Sequence, residues 1–228
     1  MDTIIQEPLS DSPTPITLIW LHGMGVDGSD FESFQKELSQ FGNLDNIRVI
    51  LPTAPKRVLT AYNMTLNAWY DFFSENFDDQ EKEDYAGMDD AVETINQIIK
   101  EQRSTHPESP IWVGGFSQGA AIALLTGLSQ TDPIAGVIAL SGYAPQHPRL
   151  SELSNLARQT PIFMAHGTLD PVISIAQARA SLERLNKAGA SVEFAEYPMM
   201  HEICPDEVSD IGDFIRAHSV QLKEGTEN

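Results

Sequence analysis

The chain predicts an α/β fold, a mostly parallel, doubly wound sheet with helices on both faces. Three observations carry this. Short apolar runs of strand length alternate with segments whose apolar residues recur every three or four positions. The early runs are continuously apolar, as strands covered on both faces must be. The residues with chemical potential fall just past the ends of these runs, where ligands of open α/β sheets bind. A chain of 228 residues, 41% of them hydrophobic, is long enough for one domain with a substantial core. Residues 1–228 show no internal repeat, low-complexity stretch or second-domain linker, and no segment long enough for a large cap.

Residues 1–15 carry three prolines and little periodicity, and read as a tail feeding the first strand, Ile16–Leu21. Phe31, Phe34, Leu38 and Phe41 give a helix over 30–41. Ile47–Leu51 is a second strand ended by Pro52. Residues 52–82 have no clean period but are rich in apolar and aromatic side chains, so they read as an irregular apolar loop near the site. Helical spacing resumes over 84–103 through Met88, Val92, Ile95, Ile98 and Ile99. The strand Ile111–Val113 precedes a small-residue helix after Ser117, and Ile134–Leu140 and Pro161–Ala165 are further strands. A helix over 175–188 is closed by Gly189 as its C-cap. Ser191–Tyr197 alternates like an edge strand. The last helix starts near Pro205, with Asp206 and Glu207 in its first turn, where the helix dipole favours acids.

The net charge of −19 argues against nucleic acid and anionic membrane surfaces as partners. It keeps a protein soluble, and it would also steer a cationic substrate. No apolar run reaches the length of a membrane span, and the N-terminal residues lack the basic and apolar regions of a secretory signal. The one cysteine, Cys204, cannot form an intrachain disulfide. Together these point to a cytoplasmic protein without stable membrane insertion.

Gly115-Phe116-Ser117-Gln118-Gly119 sits between a strand and a helix, the context a nucleophile elbow needs. A Cβ at either glycine would collide with the neighbouring strand or the helix start. Ser117 is then held at the turn tip over a helix N-terminus, which favours developing negative charge. A serine hydroxyl needs a base within hydrogen-bond reach, and the base needs an orienting carboxylate. Asp170, in His166-Gly167-Thr168-Leu169-Asp170-Pro171, lies past one strand end. His201, after Pro198-Met199-Met200, lies past the next. The order Ser, acid, His is that of α/β-hydrolases. His166 competes with His201 as the base, but its place within a strand end suggests a bond inside its own turn. Acyl transfer also needs donors to a tetrahedral oxyanion. The main-chain N–H of Gln118 is one candidate and that of Met24, in Leu21-His22-Gly23-Met24-Gly25, is the other. His22 reads as a scaffold for that loop. His201-Glu202-Ile203-Cys204-Pro205 begins like a zinc-binding H-E-x-x-H but ends in Pro205, so no metal is expected.

Leu21-His22-Gly23-Met24-Gly25, Ala68-Trp69-Tyr70-Asp71, Gly114–Gly119, His166-Gly167-x-x-Asp170 and Tyr197-Pro198-Met199-Met200-His201 together resemble the phospholipase/carboxylesterase family. That family includes acyl-protein thioesterases and small bacterial carboxylesterases, the latter the nearer likeness. The resemblance covers residues 15–218. It implies an α/β-hydrolase fold with few cap elements, a Ser117–Asp170–His201 triad, and Met24 and Gln118 as oxyanion donors. It implies cofactor-free hydrolysis of short to medium acyl esters or thioesters, including lysophospholipids or S-acylated proteins. Met24 stands where the family commonly has Leu, and Ala120 where a second Gly often follows Gln-Gly.

The expected function is therefore a serine carboxylesterase acting on small acyl esters or thioesters, or on acylated protein. The alternative is a non-catalytic acyl-ligand-binding protein on the same scaffold. Trp69, Met64 and Leu66, from the apolar stretch, are the expected acyl-binding residues. Exposed apolar loops at the site would also support a homodimer.

Overall fold

The structure, a computed structural model, describes residues 1–11, 14–74 and 83–224, with side chains to residue 219. Among these residues the strands are β1 (Thr3–Gln6), β2 (Ile16–Leu21), β3 (Ile47–Pro52), β4 (Lys56–Leu59), β5 (Met64–Asn67), β6 (Ile111–Phe116), β7 (Gly136–Leu140), β8 (Pro161–Gly167) and β9 (Ser191–Tyr197). The helices are α1 (Phe34–Gln40), α2 (Tyr85–Thr105), α3 (Gln118–Gly127), α4 (Asn155–Gln159), α5 (Ile175–Ala188) and α6 (Pro205–Glu224). Seven strands form one sheet in the order β1-β3-β2-β6-β7-β8-β9, and only β1 runs antiparallel to its neighbour.

The sheet is covered on both faces because its strands are apolar on both. Along β2, Ile19 and Leu21 join one core, and Ile16, Leu18 and Trp20 join the other. The first core is closed by α2, α3 and α5 through residues such as Ile95, Leu124 and Leu185. The second is closed by α1 and α6 through Phe34, Leu38, Ile211 and Phe214. Side chains alternate between faces with period two, so a continuous apolar run feeds both cores. Helix α3 is buried along its whole length, which explains its lack of an amphipathic pattern.

The structure corrects three readings of the chain. Residues 1–15 are more than a tail, since Thr3–Gln6 forms the edge strand β1 and pairs with Val49–Pro52 of β3. The expected helix over 30–41 is interrupted. Asp27 accepts a hydrogen bond from the Ser29 N–H and Asp30 accepts one from the Asp27 N–H, closing a 3-10 turn at Gly28–Phe31 before α1 starts at Phe34. The 52–82 stretch is not wholly irregular, because Lys56–Leu59 and Met64–Asn67 pair as a β-hairpin. Leu59 alone of its strand residues is buried, so they carry no strong burial alternation in sequence. Residues 75–82, the end of that stretch, lie outside the described residues. Helix α4 is an element the apolar spacing does not announce, a single short segment with one buried residue, Ala157. No helix among the described residues is long and apolar enough to cross a membrane.

Candidate active site

Ser117 sits between β6 and α3 with φ 56° and ψ −119°. That conformation costs a non-glycine residue about 1–3 kcal/mol and persists only where its surroundings hold it. Here the Ser117 N–H donates to the Leu140 carbonyl at 2.9 Å, anchoring the turn to β7. The flanking glycines are required by space. A Cβ on Gly115 would lie 2.5 Å from the Gly119 carbonyl, and one on Gly119 would lie 2.1 Å from the Leu21 carbonyl oxygen. The elbow helix therefore abuts the end of β2, which brings Ser117 beside the loop at Gly23.

Asp170 and His201 leave the carboxyl ends of β8 and β9, two neighbouring strands, and their side chains meet. Asp170 Oδ2 lies 2.7 Å from His201 Nδ1. Its other oxygen, Oδ1, accepts from the Val172 and Ile173 N–H groups at 2.8 and 3.0 Å. His166 Nε2 is 3.2 Å from Asp170 Oδ2 and 2.8 Å from the Ile173 carbonyl. Burial pushes the Asp170 carboxyl up, but hydrogen bonds from His166, His201 and the two amides outweigh it and hold the acid well below the usual carboxylate range. The ionised Asp170 keeps the proton of His201 on Nδ1 and leaves Nε2 free to accept one. The His201 ring packs on Phe116 at 4.7 Å between centroids. His166 is 1% exposed and stays within its turn, as its position in the strand end suggests.

Ser117, His201, Met24 and Gln118 line one cavity of about 350 Å³. The main-chain N–H groups of Met24 and Gln118 have no hydrogen-bond partner among the described residues. Apolar side chains complete the cavity, among them Phe31, Phe72, Tyr143 and Ile173. A shallower groove of about 300 Å³ shares Asp30, Phe31, Phe116 and His201 with it and adds Glu37 and Glu202.

The expected acyl-binding residues are placed otherwise. Trp69 is 1% exposed and belongs to the core, with its indole N–H donating to the His22 carbonyl at 2.8 Å. Met64 and Leu66 lie on the β4–β5 hairpin, outside the residues that line the cavity. Leu66 flanks Gly25, and the Asn67 carbonyl accepts from the Gly25 N–H at 2.9 Å, so this hairpin buttresses the Met24 loop. The walls the sequence reading passed over follow strand ends. Tyr143 comes two residues after Ser141 at the end of β7, and Val172 and Ile173 follow Asp170-Pro171. Proximity to a carboxyl strand end was the signal that would have found them. Tyr143 and Tyr70 are buried and share a hydroxyl–hydroxyl bond of 2.6 Å. Burial first, and then the neighbouring tyrosine and Glu83, drive the Tyr70 hydroxyl up, so it stays protonated.

Comparison with known proteins identifies the family. The phospholipase/carboxylesterase family model matches residues 4–219. Acyl-protein thioesterase 1 of Mycosarcoma maydis is 33% identical over 231 residues, covering 94% of this chain and 96% of its own. Acyl-protein thioesterase 1 of Neurospora crassa is 36% identical over 87% of this chain and 85% of its own. Among solved structures, Arabidopsis thaliana SOBER1 superposes with a TM-score of 0.83 at 27% identity, covering 90% of this chain and 99% of its own. Zea mays acyl-protein thioesterase 2 superposes with a TM-score of 0.82 at 26% identity, covering 95% and 98%. A seven-stranded sheet with this order, a serine elbow after β6 and a match across nearly the whole chain converge on one assignment: the protein is a hydrolase of ester or thioester bonds and belongs to the phospholipase/carboxylesterase family.

Proposed function

We propose that the enzyme is a serine hydrolase of short to medium acyl esters and thioesters, S-acylated protein included, acting through Ser117, His201 and Asp170. The observation that carries the reading is the 2.7 Å contact between Asp170 and His201 beside a cavity that His201 shares with Ser117. Ser117 Oγ attacks the acyl carbonyl carbon while its proton passes to His201 Nε2. The carbonyl π electrons move to oxygen, and the Met24 and Gln118 N–H groups receive that oxyanion. The intermediate collapses, the C–O or C–S bond to the leaving group breaks, and His201 returns its proton to the departing atom. A water then repeats the sequence on the acyl-enzyme and releases the acid and Ser117. Asp170 stays ionised and stabilises the imidazolium that forms at each step.

The acyl chain is assigned to the apolar cavity between Phe72, Tyr143 and Ile173. Each buried methylene contributes about 0.8 kcal/mol, so cavity depth sets chain-length preference. The leaving group then lies on the other flank of His201, along the shallower groove. The thioester reading draws on the named activity of the relatives. A cytoplasmic location fits the single cysteine, which leaves no intrachain disulfide to form.

The test is hydrolysis of p-nitrophenyl esters and matching acyl thioesters over a range of chain lengths, with Ser117→Ala as the control. The substitution is expected to reduce kcat by at least about 10,000-fold without unfolding the protein. Undiminished turnover in folded Ser117→Ala protein would reject the assignment. A fluorophosphonate probe separates this enzyme from an acyl-binding protein on the same scaffold, since only an activated Ser117 becomes labelled.

A further inference from the structure

Between the Met24 loop and the start of α3 at Gln118 lies a third segment, Ala68–Tyr70, bonded to both. Gln118 is 2% exposed and its side-chain amide makes a two-point clamp on this segment. Its Oε1 accepts from the Trp69 N–H at 2.8 Å, and its Nε2–H donates to the Tyr70 carbonyl at 2.8 Å. On the other side, the Trp69 indole N–H donates to the His22 carbonyl at 2.8 Å, and the two rings lie 5.2 Å apart. The His22 imidazole continues the chain of bonds. Its Nε2 accepts from the Ala54 N–H at 2.9 Å, so the proton sits on Nδ1, which donates to the Gly23 carbonyl at 2.6 Å. Burial lowers the His22 pKa and favours this neutral form. Each of these polar side-chain groups is thereby engaged in a hydrogen bond.

This geometry points to Trp69 as a positioning residue of the oxyanion site, holding the Met24 N–H in register with the Gln118 N–H. It rests on the proposed roles of those two amides. An oxyanion hole works only if its donors are fixed before charge develops, and a misplacement of about 1 Å costs on the order of a hundredfold in rate. The elbow fixes the Gln118 amide through the backbone of α3. The Met24 amide lies on a loop with a glycine on each side and needs an external brace. The Ser117 turn touches this loop at Gly23, where a Cβ would lie 3.4 Å from that of Ser117, and Trp69 secures it at the His22 carbonyl. Trp69 thus connects the two donors, its indole N–H through the His22 carbonyl and its main-chain N–H through the Gln118 side chain.

Trp69→Phe removes the indole N–H and keeps an aromatic ring in the core. The measurements are kcat and KM on a short p-nitrophenyl ester, and affinity for an alkyl trifluoromethyl ketone. Attack of Ser117 Oγ on that ketone forms a hemiketal whose oxyanion needs the same two donors, with the serine proton held on His201. Expected is a parallel loss, about ten- to a hundredfold, in kcat/KM and in ketone affinity, with KM within twofold of wild type. A merely structural role would not tie rate to oxyanion affinity in this way. Retention of both within twofold overturns the inference, and so does an effect confined to KM, which would return Trp69 to the substrate wall. If Trp69→Phe lacks a cooperative melting transition, Gln118→Met is read by the same criteria, since it cuts both clamp bonds and leaves the Gln118 N–H in place. Ser117→Ala separates the two levels. An inactive Ser117→Ala beside a fully active Trp69→Phe sinks only the bracing role, whereas an active Ser117→Ala sinks the catalytic assignment itself.

Discussion

Glu207 should make this protein lose stability as pH rises toward 8, and the structure sets the size of the effect. It lies in the first turn of α6, where an acid facing solvent would simply complement the helix dipole. Instead its side chain is fully buried, and its carboxyl gains no more than a weak, poorly aligned contact from the Cys204 backbone. Burial pushes its pKa from 4.5 up to about 8, with Asp210 adding to the shift and the Cys204 backbone opposing it. Between those pH values the folded chain keeps a proton that the unfolded chain releases. Stability is thus undiminished below the unfolded pKa and falls as pH rises through the folded one. The slope is about 1.4 kcal/mol per pH unit, with a ceiling of about 5 kcal/mol across the window. Glu207→Gln removes the ionisation. Urea or thermal unfolding from pH 5 to 9 should find the two proteins similar at pH 5. By pH 8 the variant should be several kcal/mol more stable, about 10 °C in Tm for a chain of this size. Parallel pH profiles would show that Glu207 is ionised in the folded protein and refute the reasoning.

Three further outcomes follow from the site. Asp170→Asn should lower kcat by about 10,000-fold, because the amide no longer holds the His201 proton on Nδ1. Its pH effect on folding has the opposite sign to that of Glu207. The depressed Asp170 carboxyl stabilises the protein above its unfolded pKa and loses that contribution as pH falls through the lower folded value, so the variant should lack this part of the acid limb in unfolding curves. Gly119→Ala places a Cβ 2.1 Å from the Leu21 carbonyl oxygen and 2.7 Å from that of His22, so the elbow must shift; a loss of at least about a hundredfold in kcat/KM is expected, with about 1–3 kcal/mol of destabilisation in a urea melt. Phe72→Ala lengthens the apolar cavity, and an acyl-length series should shift toward longer chains by about fourfold in kcat/KM per methylene newly accommodated.

Much of this molecule is legible in its amino-acid order because it depends on local chemistry. Continuous apolar runs specify strands covered on both faces, and the cores formed by Ile19 and Leu21 on one side and Trp20 on the other bear that out. Gly115 and Gly119 announce a turn too tight for any Cβ, and the Leu21 carbonyl is what stands in the way. Strand-end placement singles out Ser117, Asp170 and His201 without any contact being known. Gly189 ends α5 with φ 90°, as a C-capping glycine should.

Other features were settled only when distant segments met. Pairing with β3 turns Thr3–Gln6 into a strand, although four residues beside prolines carry no period of their own. The hairpin Lys56–Asn67 is held largely by its own ladder and buttresses the Met24 loop, so its burial pattern is too weak to read. Trp69 is the clearest case. An aromatic in an apolar stretch suggests a substrate wall, and only the tertiary structure shows its indole N–H spent on the His22 carbonyl. The same holds for Glu207, an ordinary first-turn acid by sequence and a buried one in the fold. Local order determines which residues have the chemistry and which strand ends they leave. Which partner each polar group finds, and whether it faces a cavity, water or the core, depends on contacts between residues far apart in the chain, and those exist only once it has folded.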